Sequence, residues 1–134
     1  MSGEVPLSNE ALLRTIPKGH FDAGLGVLNP QAFQPHKTAD HGQLSVDRAN
    51  LTTAEECFKR RLEKRPNTIG VLSVTTDEAA QFTLDAFSDP IVGENEAHAY
   101  VDFRPVLDDL DETLRLAEEL ADVAWARGWK HGPV

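Results

Sequence analysis

The apolar residues toward the C-terminus recur at alternating steps of three and four, and this periodicity constrains the fold more than any other feature of the chain. The stripe comprises Leu107, Leu110, Leu114, Ala117, Ala121 and Ala124, widened by Leu116, Leu120 and Val123. This spacing places apolar side chains on one side of an α-helix. Acidic residues at 108–112, with Arg127 and Gly128, suit the two ends of a helix. The pattern predicts an amphipathic helix over residues 108–127 that covers another layer of structure.

A capping pattern predicts a second helix in the middle of the chain. The Thr53 hydroxyl can accept the backbone N–H of Glu56 while Glu56 reaches back, so the helix is expected to begin there and to end before Pro66. Its core-facing residues are expected to be Ala54, Phe58 and Leu62. The basic run at 59–65 is attributed to the helix dipole, which favours cations near a helix C-terminus.

Segments rich in β-branched and alternating apolar residues predict the sheet. Strands are expected at residues 68–74, 99–103 and 43–47, and a strand or mixed segment at 12–16. Between two of these strands, Thr75 and Glu78 repeat the capping pattern and predict a short helix.

The length of 134 residues indicates one domain. The expected fold is a single α+β domain over residues 1–134, with a mixed or antiparallel sheet covered by the central helix and the long C-terminal helix. Residues 1–9 are expected to be flexible. Proline and glycine punctuate residues 17–42, which predicts a long loop region of the kind that often carries function.

The charge and the cysteine content exclude several classes of function. The chain has 22 acidic and 13 basic residues and a formal net charge of −9, which argues against nucleic-acid binding because that requires clustered cations. The sequence has no run of about 18 consecutive apolar residues, so it predicts no membrane span. Cys57 is the only cysteine, so no intramolecular disulfide can form, and it is expected to be a small buried residue. These features favour a cytoplasmic protein.

Reactive polar residues concentrate in residues 20–48 and in the acidic turn at 94–96. The residues expected to contact a ligand are Arg14, His20, His41, Arg48 and Glu94. Histidines and aspartates of the same segments could in principle join around a metal ion, but their spacing fits neither one face of a helix nor one face of a strand. No metal site is therefore predicted.

Ser45 and His98 are candidate catalytic groups under an enzyme interpretation. His98 is expected on one strand face with Glu96 and Tyr100, where an imidazole can serve as acid or base near neutral pH. Ser45 lacks the glycine-flanked turn that exposes the nucleophile of many hydrolases.

In chain order, Arg14, Ser45 and the pair Glu94 and Glu96 resemble the Arg, Ser, Glu-x-Glu arrangement of one class of ADP-ribosyltransferases. The resemblance implies NAD as the bound cofactor. Arg14 would hold the dinucleotide phosphate, Ser45 would order the site, Glu96 would stabilise the oxocarbenium ion and Glu94 would orient the acceptor. The Ser-Thr-Ser pattern of that class is replaced by Leu44-Ser45-Val46.

Four short motifs resemble a family of small bacterial proteins without an assigned activity: Ala32-Phe33-Gln34-Pro35, Leu44-Ser45-Val46, Asn95-Glu96-Ala97-His98-Ala99 and Ala126-Arg127-Gly128-Trp129. This resemblance implies a bacterial or phage setting. The favoured interpretation is a small acidic binding or regulatory protein, an accessory or immunity-like partner of another protein, with no cofactor. Its interaction surface would combine the 20–48 loop and the 94–96 turn. The alternative is an enzyme that acts on a nucleotide or NAD-like ligand in the cleft between the 20–48 loop and the 94–98 segment.

Overall fold

The computed structural model describes residues 5–38 and 40–134 and shows an α+β fold. The helices in these ranges are α1 Ala54–Lys64, α2 Thr76–Gln81 and α3 Leu110–Arg127. The strands are β1 Val5–Pro6, β2 Ala11–Pro17, β3 Phe21–Asp22, β4 Val27–Leu28, β5 Gln43–Arg48, β6 Thr68–Thr75, β7 Asp85–Ser88 and β8 His98–Asp102. Of the N-terminal segment expected to be flexible, residues 1–4 lie outside the described residues. None of the described helices is long and apolar enough to cross a membrane.

Six strands form one antiparallel sheet in the order β1-β7-β8-β5-β2-β6. β2 pairs with β6 along its whole length. β5 pairs with β8 from Gln43 opposite Asp102 to Asp47 opposite His98. The expected α+β fold and the antiparallel arrangement are confirmed. β7 was not predicted, because four residues between a helix and Asp89 leave too short a pattern to read.

Buried residues lie on both faces of the sheet, because neighbouring residues of a strand point to opposite sides. Leu12 belongs to the main core with Leu120 and the other buried residues of α3. Leu13 belongs to a smaller core with Cys57 and Phe58 of α1. α1 contacts β2 and β6 and leaves the same face of β5 and β8 without a helix over it.

The helix boundaries follow the local signals in the sequence. The Thr53 hydroxyl accepts the backbone N–H of Glu56 at 3.1 Å, as expected. The expected return contact is wrong, because the Glu56 carboxylate lies 3.4 Å from the Thr53 hydroxyl and does not accept the Thr53 backbone N–H. The Thr75 hydroxyl accepts the N–H of Glu78 at 3.1 Å, and the Glu78 carboxylate accepts the N–H of Thr75 at 2.7 Å. Each capping pattern therefore fixes the first turn of a helix.

The buried side of two helices differs from the expected stripe. The buried residues of α3 are Thr113, Leu116, Ala117, Leu120, Ala121 and Ala124. Leu110 and Leu114 remain 63% and 43% exposed, and Leu62 of α1 is 36% exposed, so their predicted burial is wrong. The apolar arc of α3 is wider than its contact with the sheet, so packing decides which part of the arc is covered.

The region at 17–42 contains more regular structure than a loop. The short 3₁₀ turns Lys18–His20 and Pro30–Phe33 flank a hairpin of β3 and β4. The Phe21 ring at the base of this hairpin lies 5.5 Å from the ring of Trp125 and 5.3 Å from that of Trp129. The aromatic cluster fixes the hairpin to the end of α3.

Residues 129–134 follow the outer edge of β6. The Val71 amide donates to the His131 carbonyl at 2.9 Å, and the Lys130 amide donates to the Val71 carbonyl at 2.8 Å. Gly70 lies against the Trp129 ring, where an added Cβ would be 2.7 Å from both the ring and the His131 carbonyl oxygen. This close approach requires a residue without a side chain.

Replacing Gly70 tests this contact. We expect Gly70→Ala to lower the free energy of unfolding by about 1–3 kcal/mol, because the methyl group would force Trp129 or residue 131 to move. Gly19→Ala is the matched control, since nothing lies within 4 Å of its added Cβ. Urea denaturation measures both variants, and equal stability of the two would contradict the proposed close packing.

Candidate functional site

Strands β2 and β5 separate beside Arg14. Their pairing consists of Leu12 opposite Arg48 and Leu13 opposite Asp47. Past these pairs, Arg14 donates through Nη1 to the Ser45 carbonyl and through Nε to the Ala32 carbonyl, both at 2.8 Å. The guanidinium thus occupies the gap where ladder hydrogen bonds stop.

The Arg14 guanidinium is removed from water even though part of the residue remains accessible. Its burial lowers the pKa of Arg14 to about 10, because the charged form loses hydration, and the negative charge of Asp40 partly offsets this effect. Arg14 therefore stays positively charged at neutral pH. Its two hydrogen bonds link β2 to β5 and to the segment at Ala32, which is a structural role at the base of the site.

Asp47 joins three segments of the chain at one buried carboxylate. Its Oδ2 accepts from Arg60 Nη1 of α1 at 2.8 Å, and its Oδ1 accepts from Asn95 Nδ2 of the β7–β8 loop at 2.8 Å. Asp47 itself is on β5 and is 8% exposed. These charge-assisted contacts set the distance between α1, the sheet and the loop.

Cys57 lies beside this carboxylate and is buried. Removal from water raises the pKa of the Cys57 thiol well above its ordinary value, and the negative charge of Asp47 raises it further. The thiol therefore stays protonated, and a protonated thiol is a poor nucleophile. Its expected burial is confirmed.

His98, Ser45 and Asp89 form a chain of polar contacts on the open face of the sheet. His98 Nδ1 lies 2.9 Å from the Asp89 carbonyl oxygen, and the Asp89 Oδ2 atom is 3.4 Å from the same nitrogen. His98 Nε2 lies 3.3 Å from Ser45 Oγ. A carbonyl oxygen only accepts, so Nδ1 must carry the proton of that bond. In the neutral ring, Nε2 is then left as an acceptor for the Ser45 hydroxyl.

These contacts line a cleft of about 470 Å³ between α1, the open sheet face and the β7–β8 loop. Its volume is within the range of small-molecule sites. The five cations of its lining are Arg14, Arg60, Arg61, Lys64 and Arg65, and its three carboxylates are Asp40, Asp47 and Glu94. The cleft therefore carries excess positive charge, although the chain as a whole has a formal net charge of −9.

Two exposed cations of this lining, Arg61 and Arg65, form no ion pair with a carboxylate of the described residues, whereas Arg14 donates to backbone carbonyl oxygens. Arg60 pairs with Asp47, and Lys64 pairs with Glu94, whose pKa is lowered by the lysine. Among the described residues, no salt bridge engages Arg61 or Arg65. Both side chains are exposed and are available to an anion in the cleft.

The basic residues of α1 and Arg65, which caps its C-terminus, follow a spacing that indicates one helix face. Residues 60, 61, 64 and 65 line the cleft, whereas Lys59 lies outside its lining and pairs with Glu55 at 2.9 Å. The helix dipole was expected to account for the whole basic run, and this division between cleft and outer surface was not predicted. The sequence spacing could have indicated it, because residues 60, 61, 64 and 65 fall on one side of a helix.

The structure brings together four of the residues singled out from the sequence: Arg14, Ser45, Glu94 and His98 line one cleft. Glu96 does not line it. The Glu96 carboxylate accepts the backbone N–H of Gly93 at 3.3 Å, and β8 begins only at His98. His98 and Tyr100 do share a sheet face, as expected from their spacing.

The other three candidate ligand contacts lie elsewhere. Arg48 donates to the buried carboxylate of Glu10 at 2.9 Å. His41 is exposed in a turn with φ of 52°. His20 lines a second cavity of about 880 Å³, formed by the β3–β4 hairpin together with Ile69 and Pro133. Burial, followed by the charge of Arg14, lowers the pKa of His20.

Within the described residues, no group of three or more His, Cys, Asp or Glu side chains is arranged to hold a metal ion. Comparison of the chain with profiles of known protein families, with curated proteins and with solved structures gives no significant match.

Asp47 offers a direct test of how the cleft is held. We expect Asp47→Asn to lower the free energy of unfolding by about 1–3 kcal/mol, because Arg60 loses its charged acceptor in a largely buried position. Glu55→Gln is the control, since it removes an exposed ion pair on the same helix and should barely move the unfolding midpoint. Urea denaturation compares the two, and similar losses would show that Asp47 has no special role.

Proposed function

We propose that the protein binds a small phosphorylated ligand in the cleft between α1 and the β7–β8 loop. The observation that carries this proposal is the excess of cations in the lining of a strongly acidic chain, with Arg61 and Arg65 outside any ion pair of the described residues. Guanidinium groups suit phosphate because their N–H donors match its oxygen geometry. The lone thiol of Cys57 is consistent with a cytoplasmic setting, which forms part of this proposal.

The overall charge makes a small ligand a better fit than a nucleic acid. A polyanion would extend beyond the cleft onto a surface that carries most of the 22 acidic residues. Repulsion from that surface opposes a long phosphate backbone but leaves a ligand confined within the cleft unaffected at a Debye length of about 8 Å. The resemblance of Arg14, Ser45 and the pair Glu94 and Glu96 to ADP-ribosyltransferases implies NAD as the ligand. Nucleotides and NAD both belong to the class we propose, although Glu96 does not line the cleft.

Thermal-shift titration with pyrophosphate, ADP and NAD tests the proposal. We expect at least one of them to raise the melting temperature, because a ligand that binds the native state stabilises it. The double variant Arg61→Gln with Arg65→Gln should bind roughly a hundredfold more weakly or worse, since each charge-assisted contact contributes about 1.5–3 kcal/mol.

Lys59→Gln is the matched control for that experiment. It removes one positive charge from the same helix but outside the cleft lining, so binding should be retained. The proposal fails if none of the three probes shifts the melting temperature at millimolar concentration. It also fails if Lys59→Gln weakens binding as much as the double variant does.

A second candidate function, regulation through a protein partner, is favoured by the hairpin of β3 and β4. Leu25 at its tip is 77% exposed and Val27 is 53% exposed. The turn is well formed, because Asp22 accepts the backbone N–H of Leu25 at 3.0 Å and Gly26 adopts a φ of 64°. A fixed hairpin that presents apolar side chains is suited to contact with an apolar surface of another protein.

Site-specific photo-cross-linking tests this second function. A photo-reactive residue at position 25 should yield one discrete cross-linked protein in cells. The same residue at position 118, an exposed site on α3, should not yield it. Identical products from both positions would rule out a specific partner of the hairpin.

A further inference from the structure

We propose that Ser45 is a nucleophile, activated by His98, that attacks phosphoesters bound in the cleft. The substrate class rests on the proposed function, because the cations of the cleft would hold the phosphate. The nucleophile itself rests on separate observations: the geometry of the hydroxyl, the imidazole and the carbonyl of Asp89.

The orientation of the imidazole is fixed by its two hydrogen-bond partners. The Asp89 carbonyl accepts a hydrogen bond from Nδ1–H at 2.9 Å, which leaves Nε2 as the basic nitrogen, 3.3 Å from Ser45 Oγ. The Asp89 carboxylate, 3.4 Å from Nδ1, would stabilise the imidazolium that forms when Nε2 takes a proton. Nucleophile, base and orienting group thus occur in the order that serine nucleophiles require.

The position of Ser45 supports a chemical role over a packing role. Ser45 is exposed, on the face of β5 that no helix covers, whereas the imidazole behind it is 18% exposed. A solvent-accessible hydroxyl gains little stability from a hydrogen bond that water could replace. The same hydroxyl is accessible to a ligand that approaches through the cleft.

Ser45 lies within strand β5, whereas the nucleophile of many hydrolases lies in a sharp glycine-flanked turn. Its hydroxyl is accessible because α1 packs on β2 and β6 and leaves this face of β5 uncovered. Arg14 fixes the backbone at this position by donating to the Ser45 carbonyl. An uncovered strand face therefore exposes the serine without the glycine-flanked turn.

The reaction would proceed in two balanced steps. The Oγ–P bond forms as the Ser45 proton passes to His98 Nε2, and the bond from phosphorus to the leaving alcohol breaks with its electron pair on that oxygen, which then takes the proton from His98. Water next attacks the phosphoserine while His98 Nε2 accepts its proton. The bond from phosphorus to Oγ breaks with its electron pair on Oγ, which takes the proton from His98 and becomes the Ser45 hydroxyl again. Cations around the phosphate stabilise the charge on its non-bridging oxygens.

Labelling with a small neutral fluorophosphonate tests the nucleophile without relying on anion binding. Attack by Ser45 displaces fluoride and leaves one phosphonyl group on Oγ, which intact-mass spectrometry and peptide mapping detect. We expect a single adduct at Ser45 in the folded protein, and none in Ser45→Ala. His98→Asn should slow labelling by about a hundredfold or more, the range of a lost general base.

His41→Asn is the matched control, because His41 is exposed outside the cleft and asparagine tolerates its positive φ. It should label at the rate of the unaltered protein. Circular dichroism and pyrophosphate binding of His98→Asn verify that this variant is folded. Absence of a Ser45 adduct, or equal rates in His98→Asn and His41→Asn, would overturn the proposal.

The two proposals fail separately. Pyrophosphate binding without a Ser45 adduct would leave an anion-binding protein and refute the nucleophile. A Ser45 adduct that forms in a protein with no affinity for phosphorylated probes would support the nucleophile and refute the phosphorylated ligand.

Discussion

The buried carboxylate of Asp47 is the contact on which the cleft depends. It binds Arg60 of α1 and Asn95 of the β7–β8 loop, and it stands opposite His98 in the sheet. One side chain therefore fixes three of the walls around Ser45. Because α1 packs mainly on β2 and β6, this link to β5 also determines how far the basic side of α1 lies from the open half of the sheet.

Electrostatics gives this small protein two different surfaces. The chain is acidic overall, yet the lining of one cleft has five cations and only three carboxylates among the described residues. Three of these cations are on α1, and Arg65 directly follows it. Two of those carboxylates already neutralise Arg60 and Lys64. The remaining charge of Arg61 and Arg65 is localised, so it can attract a compact anion while the outer surface repels a long one.

Local signals predicted the elements that depend on a few neighbouring residues. The Thr53 and Thr75 caps and the period of α3 all act within one or two turns, and the structure confirms them. The burial of Leu110 and Leu114 was predicted wrongly, because the sheet decides which part of a wide apolar arc it covers. β7 was missed for a related reason: its four residues form a strand by pairing with β1 and β8.

The candidate site also combines features that local sequence indicates with features that only the tertiary structure sets. Ser45 and His98 stood out by residue type, but their contact depends on the register of β5 against β8, which no local pattern specifies. Asp89 contributes mainly a backbone carbonyl, and that role leaves no mark in a side-chain pattern. Glu96 illustrates the opposite case, since two residues of spacing suggested a shared strand face that the loop before β8 does not provide.

The most direct test of the central claim, that the fold holds His98 as a base toward Ser45, is the tautomer of its imidazole. Long-range ¹H–¹⁵N NMR of the neutral ring distinguishes a protonated from an unprotonated nitrogen. The structure predicts a proton on Nδ1, held by the Asp89 carbonyl, and an unprotonated Nε2. A proton on Nε2, or rapid averaging between the two tautomers, would contradict it.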